Sequence, residues 1–75
     1  MEQYRNFGEN SGVRQFEIGD DFIRVEFERE GTYVYDYAST GAEHVERMKV
    51  LARSGQGLGT YISQHARKAF ARKEP

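Results

Sequence analysis

Three tyrosines at every second position of one short segment are the residues of this chain best suited to binding chemistry. Tyr33, Tyr35 and Tyr37 alternate with Val34 and Asp36. Because successive side chains of a β-strand point to opposite faces, this spacing predicts that the three rings share one face of a strand. Exposed rings could stack on nucleic-acid bases, each stack contributing about 1–3 kcal/mol. Buried rings would instead be part of the core.

Basic side chains, which could contact phosphate groups, are concentrated in the second half of the chain. Residues 37–75 hold seven of the eleven Lys and Arg residues but three of the twelve Asp and Glu residues, within a formal net charge of −1. An anionic ligand should therefore bind the second half. The candidate phosphate-binding residues are Arg47, Lys49, Arg53, Arg67, Lys68, Arg72 and Lys73. A solvated basic helix face is the alternative interpretation.

A glycine-rich loop is a second candidate for phosphate contact. Gly57, Leu58 and Gly59 lead into a predicted helix, and free backbone N–H groups at the start of a helix attract phosphate. The alternative is that these glycines end one helix and allow a sharp turn into the next.

Catalytic and metal-binding patterns are missing from the sequence. It contains no cysteine and no hydrolase, zinc-protease or Walker motif. His65 lies on the apolar stripe of a predicted helix and is expected to be a hydrogen-bonded core residue, whereas His44 is expected to be solvated. We therefore expect no enzyme, no metal site and no cofactor.

The segments that must position these residues read as three strands followed by two helices. Alternating patterns predict strands over 13–18, 22–29 and 32–38, separated by turns at Gly19-Asp20 and Glu30-Gly31. Apolar residues at helical spacing predict one helix from the Thr40 and Glu43 capping box to Gly55, and a second over 58–70. The expected fold class is α+β: a three-stranded antiparallel β-meander with a two-helix hairpin on one face (β-β-β-α-α). A flexible N-terminal arm over 1–12 precedes a single domain over 13–73.

The length of the second hairpin loop decides which face carries the tyrosines. A two-residue Glu30-Gly31 loop pairs Glu28 with Tyr33 and Glu26 with Tyr35, which places the tyrosines on the outer face. We favour this register, although a three-residue turn would shift it by one position and reverse the faces. The corresponding core face consists of Phe16, Ile18, Ile23, Val25, Phe27, Val34 and Ala38.

The composition also indicates where the protein works. The 75-residue chain is one small domain without cysteine, which favours a reducing, cytoplasmic setting. No apolar run approaches the roughly 20 residues of a membrane span, and Met1 to Arg5 show no signal pattern, so we expect no membrane association.

Several short motifs together resemble the KTSC domain. They are the Tyr33-x-Tyr35 strand, the apolar helix ending near Ala52, the Gly55-x-x-Leu58 spacing and Ile62. This module is named for its occurrence at the C-terminus of some lysyl-tRNA synthetases and also occurs alone in small bacterial proteins. The resemblance covers roughly residues 16–65. The role of this family is unassigned, and its association with a synthetase suggests RNA binding. The resemblance implies Tyr33 and Tyr35 as the candidate contact surface and no catalytic residues.

Two functional hypotheses follow. The first is a non-enzymatic module that binds RNA or single-stranded nucleic acid through the basic helix residues and the tyrosine strand. The second is a protein-interaction or homodimerisation module that uses the tyrosine-bearing sheet face. The second gains support from Glu26 and Glu28, which in the favoured register flank the tyrosines and would repel phosphate.

Overall fold

The computed structural model, which describes residues 1–7 and 12–74, contains an antiparallel sheet with helices packed on one of its faces. The five strands follow chain order and are β1 Glu2–Gln3, β2 Val13–Ile18, β3 Phe22–Phe27, β4 Gly31–Asp36 and β5 Arg72–Glu74. The helices are α1 Tyr37–Thr40, α2 Ala42–Ser54 and α3 Leu58–Tyr61, and α3 continues into a π-helical turn over Ile62–Ala66. The α+β class and the antiparallel sheet are confirmed.

Two edge strands extend the sheet beyond the predicted meander. β1 pairs with β2, and β5 pairs with β4 through Val34 opposite Arg72. The second helix was expected to reach Phe70 and to carry Arg72 and Lys73, but its π-helical turn ends at Ala66. The chain then returns to the sheet, where the Ala71 N–H donates to the Val34 carbonyl at 2.7 Å. Backbone pairing with β4 therefore prevails over the helical pattern.

Residues near the N-terminus belong to the folded unit, in contrast to the loose arm expected over 1–12. Tyr4 is 4% exposed, and its hydroxyl accepts a hydrogen bond from the Leu58 N–H at 3.1 Å. The Phe7 N–H donates to the Gly55 carbonyl at 2.7 Å. The remainder of the expected arm, residues 8–11, lies outside the described residues.

The hairpin between β3 and β4 reverses the expected tyrosine face. Phe27 pairs with Gly31, Val25 with Tyr33 and Ile23 with Tyr35, so three residues, 28–30, form the loop. Gly31 follows them with φ +89°, a backbone conformation that glycine adopts without steric cost. Tyr33 pairs with Val25 and not with the expected Glu28, which is a register shift of three positions. Because an odd shift reverses the faces, Tyr33 and Tyr35 point toward the helices, and the prediction that these two rings lie outside is wrong.

The core lies between the inner face of the sheet and the helices. Phe16, Ile23 and Val25 were correctly expected in it, whereas Val34 lies on the outer face and Ala38 is exposed on α1. From β4, the core contains the side chain of Tyr35 and not that of Val34, which was predicted there. The helices contribute Val45, Met48, Ala52, Leu58, Ile62 and Ala66.

The ends of α2 agree with the predicted positions, although the expected capping box does not form. Gly41 precedes the helix, and the Thr40 hydroxyl instead donates to the Ala69 carbonyl at 2.6 Å. Gly55 ends the helix with φ +79°, and its N–H bonds to the carbonyls of Leu51 and Ala52. No helix in the described part of the chain is long and apolar enough to cross a membrane.

Candidate ligand-binding cavity

The three tyrosines do not form one stripe. Tyr35 is 1% exposed, and Tyr33 is half-buried. Tyr37 has left the sheet, because an Asp36 carboxylate oxygen accepts the Ser39 N–H at 2.8 Å and thereby caps α1. The exposed Tyr37 hydroxyl donates to Glu46 Oε2 at 2.5 Å. Tyr33 and Tyr35 therefore share one face of β4, as the alternation predicted, whereas Tyr37 does not.

Lys49 is a structural residue and does not offer its charge to a ligand. The side chain is buried, and its ammonium group donates to the Asp20 carbonyl at 2.9 Å and to Glu46 Oε2 at 2.7 Å. Hydrogen bonds from Lys49 and Tyr37 hold the pKa of Glu46 below its usual value. The Lys49 ammonium group is therefore engaged within the fold, which does not favour the predicted phosphate contact.

The other predicted basic residues are exposed but dispersed. Arg47 and Arg53 lie six positions apart on α2, about 240° around the helix axis, so they point in different directions. Arg72 lies on the outer face of the sheet, 3.4 Å from Glu74. Arg67 and Lys68 follow the π-helical turn. The basic helix surface expected from the sequence is therefore not continuous.

An aromatic cavity of about 380 Å³ lies between the β3–β4 hairpin and the face of α3 and its π-helical turn. Its apolar wall is mainly aromatic, and its polar groups come from the hairpin loop and the helical segment. The lining residues are Phe27, Glu30, Tyr33, Tyr35, Gly59, Ile62, Ser63, Arg67 and Phe70. Two of the predicted tyrosines and one predicted basic residue thus meet at a single site.

Simple periodicities bring these residues together. Tyr33 and Tyr35 share a face because they are two apart on β4. Gly59, Ser63 and Arg67 are spaced four apart along the helical segment and therefore follow one side of it. The segment includes a π-helical turn, a feature frequent at functional sites. This spacing is the signal by which the sequence could have identified Ser63.

Aromatic packing holds Tyr33 at the centre of the apolar wall. Its ring meets the Phe70 ring edge-on, with centroids 4.8 Å apart, and the Phe27 ring at 5.6 Å. The Tyr35 ring is stacked at 6.5 Å, and the Lys73 ammonium lies 5.5 Å from the Tyr33 centroid. An aromatic ligand entering the cavity would meet several ring surfaces with a cation beside them.

The Tyr35 hydroxyl is a buried donor with unused hydrogen-bonding capacity. None of the described residues forms a hydrogen bond with it. Burial raises the pKa of Tyr35, and the neighbouring Tyr33 and Glu30 raise it further, so the hydroxyl stays protonated. Tyr35 and Glu30 both line the aromatic cavity. The lining of the cavity thus includes a hydroxyl donor and a carboxylate acceptor.

A second cavity, of about 530 Å³ on the outer face of the sheet, is occupied by internal ion pairs. Arg24 contacts Glu17 and places Nη2 2.5 Å from Glu74 Oε1. The hydrogen bond from Arg24 lowers the pKa of Glu74. These charges already compensate one another, so this cavity is the weaker ligand site.

The two histidines, His44 and His65, both lie against Tyr61. His44 Nδ1 lies 2.7 Å from the Tyr61 hydroxyl, and the His65 ring packs 4.6 Å from the Tyr61 ring. His65 is exposed and His44 half-buried, the reverse of the expectation. Within the described residues, no group of three or more His, Cys, Asp or Glu side chains could hold a metal ion.

The glycine-rich loop forms a turn, and its helix-start donors are partly used inside the fold. Gly57 has φ +85° before α3, and the following N–H, that of Leu58, is bonded to the Tyr4 hydroxyl. This contact favours the turn interpretation over phosphate binding.

Comparisons with protein-family models, with curated proteins and with solved structures found no match to this chain.

Proposed function

We propose that this protein is a small non-enzymatic module that binds RNA or single-stranded nucleic acid by taking one base into the aromatic cavity. The observation that carries the proposal is the meeting of Tyr33, Phe27 and Phe70 with Arg67 around one opening. Single-stranded nucleic acids are bound by the same combination, in which bases stack on aromatic side chains and cations contact phosphates. The KTSC resemblance implies the same ligand class and stays a prediction.

The size of the aromatic cavity suits one base. Its volume of about 380 Å³ falls in the range of roughly 300–1,000 Å³ that is usual for small-ligand sites. Ring surfaces line its apolar side, so a planar aromatic group would recover stacking energy there.

The charges around the cavity favour a particular orientation of the bound strand. Arg67 lies in the cavity wall, Lys68 is exposed next to it in the chain, and Lys73 is beside Tyr33. Glu30 repels phosphate, so the base would enter toward Glu30 while the phosphates stay at the basic residues.

The alternative function, a protein or homodimer interface, would need an accessible tyrosine-bearing sheet face. Helices cover that face, and Tyr35 is 1% exposed. The outer face instead carries the ion pairs of Arg24.

Salt-dependent binding of two arginine variants tests this proposal. Fluorescence anisotropy with labelled mixed-sequence single-stranded RNA should give a linear dependence of log affinity on log salt concentration. For Arg67→Gln we expect weaker binding and a salt slope reduced by about 0.7, the value for one phosphate contact to a single strand.

Arg47→Gln is the matched control, because Arg47 is an exposed arginine on α2 that does not line the aromatic cavity. It should leave the affinity nearly unchanged. If both variants lost affinity equally, RNA would be bound by the overall positive charge and not at the aromatic cavity. An absence of RNA binding at low salt would refute the proposal.

A further inference from the structure

The polar residues that line the aromatic cavity include one hydrogen-bond donor and one acceptor group suited to different atoms of a base. Tyr35 supplies a hydroxyl donor that is buried and has no partner among the described residues. Glu30 supplies two carboxylate oxygens, which accept hydrogen bonds and cannot donate them when ionised. A ligand that satisfies both must present an acceptor beside donors.

We infer that the aromatic cavity selects guanine, with O6 accepting from the Tyr35 hydroxyl while N1–H and the N2 amino group donate to the Glu30 carboxylate. The inference rests on the proposed function and specifies the base that enters the cavity.

Guanine fits this arrangement better than the other bases for a chemical reason. Its Watson–Crick edge places two adjacent donor groups beside one carbonyl acceptor, so it can engage both oxygens of a carboxylate at once. Adenine and cytosine present one amino group on that edge, and uracil presents one N–H. Bidentate bonds to an ionised carboxylate are among the strongest and most directional in proteins. A base that engages one oxygen leaves the other unpaired.

The protonation of Tyr35 supports this assignment. Burial and the Glu30 charge raise the pKa of Tyr35, so its hydroxyl keeps the proton that O6 must receive. Arg67 is in the same wall and can contact either O6 and N7 of guanine or the attached phosphate.

Guanine in an RNA strand and guanine in a free nucleotide share this chemistry. The test therefore uses the intact protein in two calorimetric titrations. One compares guanosine, inosine, adenosine, cytidine and uridine 5′-monophosphates. The other compares short uridine-rich RNAs that contain a single central guanosine or a single central adenosine.

Guanosine monophosphate should bind at least about fivefold more tightly than the adenosine, cytidine and uridine nucleotides. Inosine monophosphate, which lacks the N2 amino group, should lose most of this advantage. Tighter binding of the guanosine RNA than of guanosine monophosphate would assign the ligand to a strand. The opposite order would assign it to a free nucleotide.

Two protein variants separate recognition from structural effects. Glu30→Gln should reduce the ratio of guanosine to adenosine affinity by at least about fivefold, while binding of RNA without guanosine stays equal or becomes tighter, since a negative charge is removed. Tyr35→Phe should lower the same ratio without unfolding the protein.

The inference and the proposed function fail in different ways. Binding of RNA with equal affinity for all bases, or an unchanged ratio in Glu30→Gln, would overturn guanine selection and leave RNA binding intact. No binding of any nucleotide or RNA at low salt would overturn both.

Discussion

Removing the hydroxyl group of Tyr4 should lower the free energy of unfolding, whereas removing that of Tyr35 should not, although both side chains are buried. The Tyr4 hydroxyl accepts the Leu58 N–H at 3.1 Å. Tyr4→Phe leaves that N–H buried without this acceptor, which costs about 1–3 kcal/mol. The Tyr35 hydroxyl has no partner among the described residues. Tyr35→Phe should therefore leave the free energy of unfolding unchanged or raise it by up to about 1 kcal/mol.

Urea unfolding followed by circular dichroism measures both effects. For a small domain, with a denaturant slope near 1 kcal/mol per molar urea, the midpoint of Tyr4→Phe should fall by about 1–3 M. In a thermal scan the same loss corresponds to about 4–8 °C per kcal/mol. Tyr37→Phe is the control, because it removes an exposed hydroxyl and should change the free energy by less than about 0.5 kcal/mol.

If Tyr35→Phe destabilised the protein as much as Tyr4→Phe does, the Tyr35 hydroxyl would have a structural partner and would not be available to a ligand.

Two further predictions concern packing and acid stability. Gly55 and Gly12 share φ +79°, but a Cβ at Gly55 would lie 2.9 Å from the Arg5 Cβ, whereas one at Gly12 would meet no atom within 4 Å. Gly55→Ala should therefore lower the thermal midpoint more than Gly12→Ala, and equal losses would contradict the packed N-terminal segment. Arg24 lowers the pKa of Glu74 from its usual 4.5, so this contribution to stability is present above that pH and is lost as the pH falls through the lowered value. The difference in unfolding free energy between the wild type and Glu74→Gln should accordingly shrink below pH 4.5 in urea titrations, and a difference independent of pH would refute the prediction.

The central elements could be predicted because their patterns are strong. Ile23 and Val25 alternate with charged residues, and Val45 and Met48 repeat at helical spacing, so β3 and α2 are evident from the sequence. The register of β4 could not be derived in the same way. Residues 28–31 allow a two-residue or a three-residue loop, and the choice reverses both faces.

The remaining differences arise from tertiary contacts. The three residues of β5 have no apolar alternation and form a strand because β4 offers a free edge. Of the aromatic cavity, sequence reasoning named Tyr33, Tyr35 and Arg67 as binding residues. It did not assign Glu30 or Ser63 to a site, since their meeting depends on how the hairpin and the helical segment pack.

An NMR titration of the labelled protein with mixed-sequence single-stranded RNA, at low and then at physiological salt, is the sharpest test of RNA binding in the aromatic cavity. We expect amide shifts concentrated at Tyr33, Gly59, Ser63 and Arg67, and weaker shifts at the higher salt concentration. An absence of shifts at low salt, or shifts confined to Arg47 and Arg53 on α2, would rule out binding at this cavity.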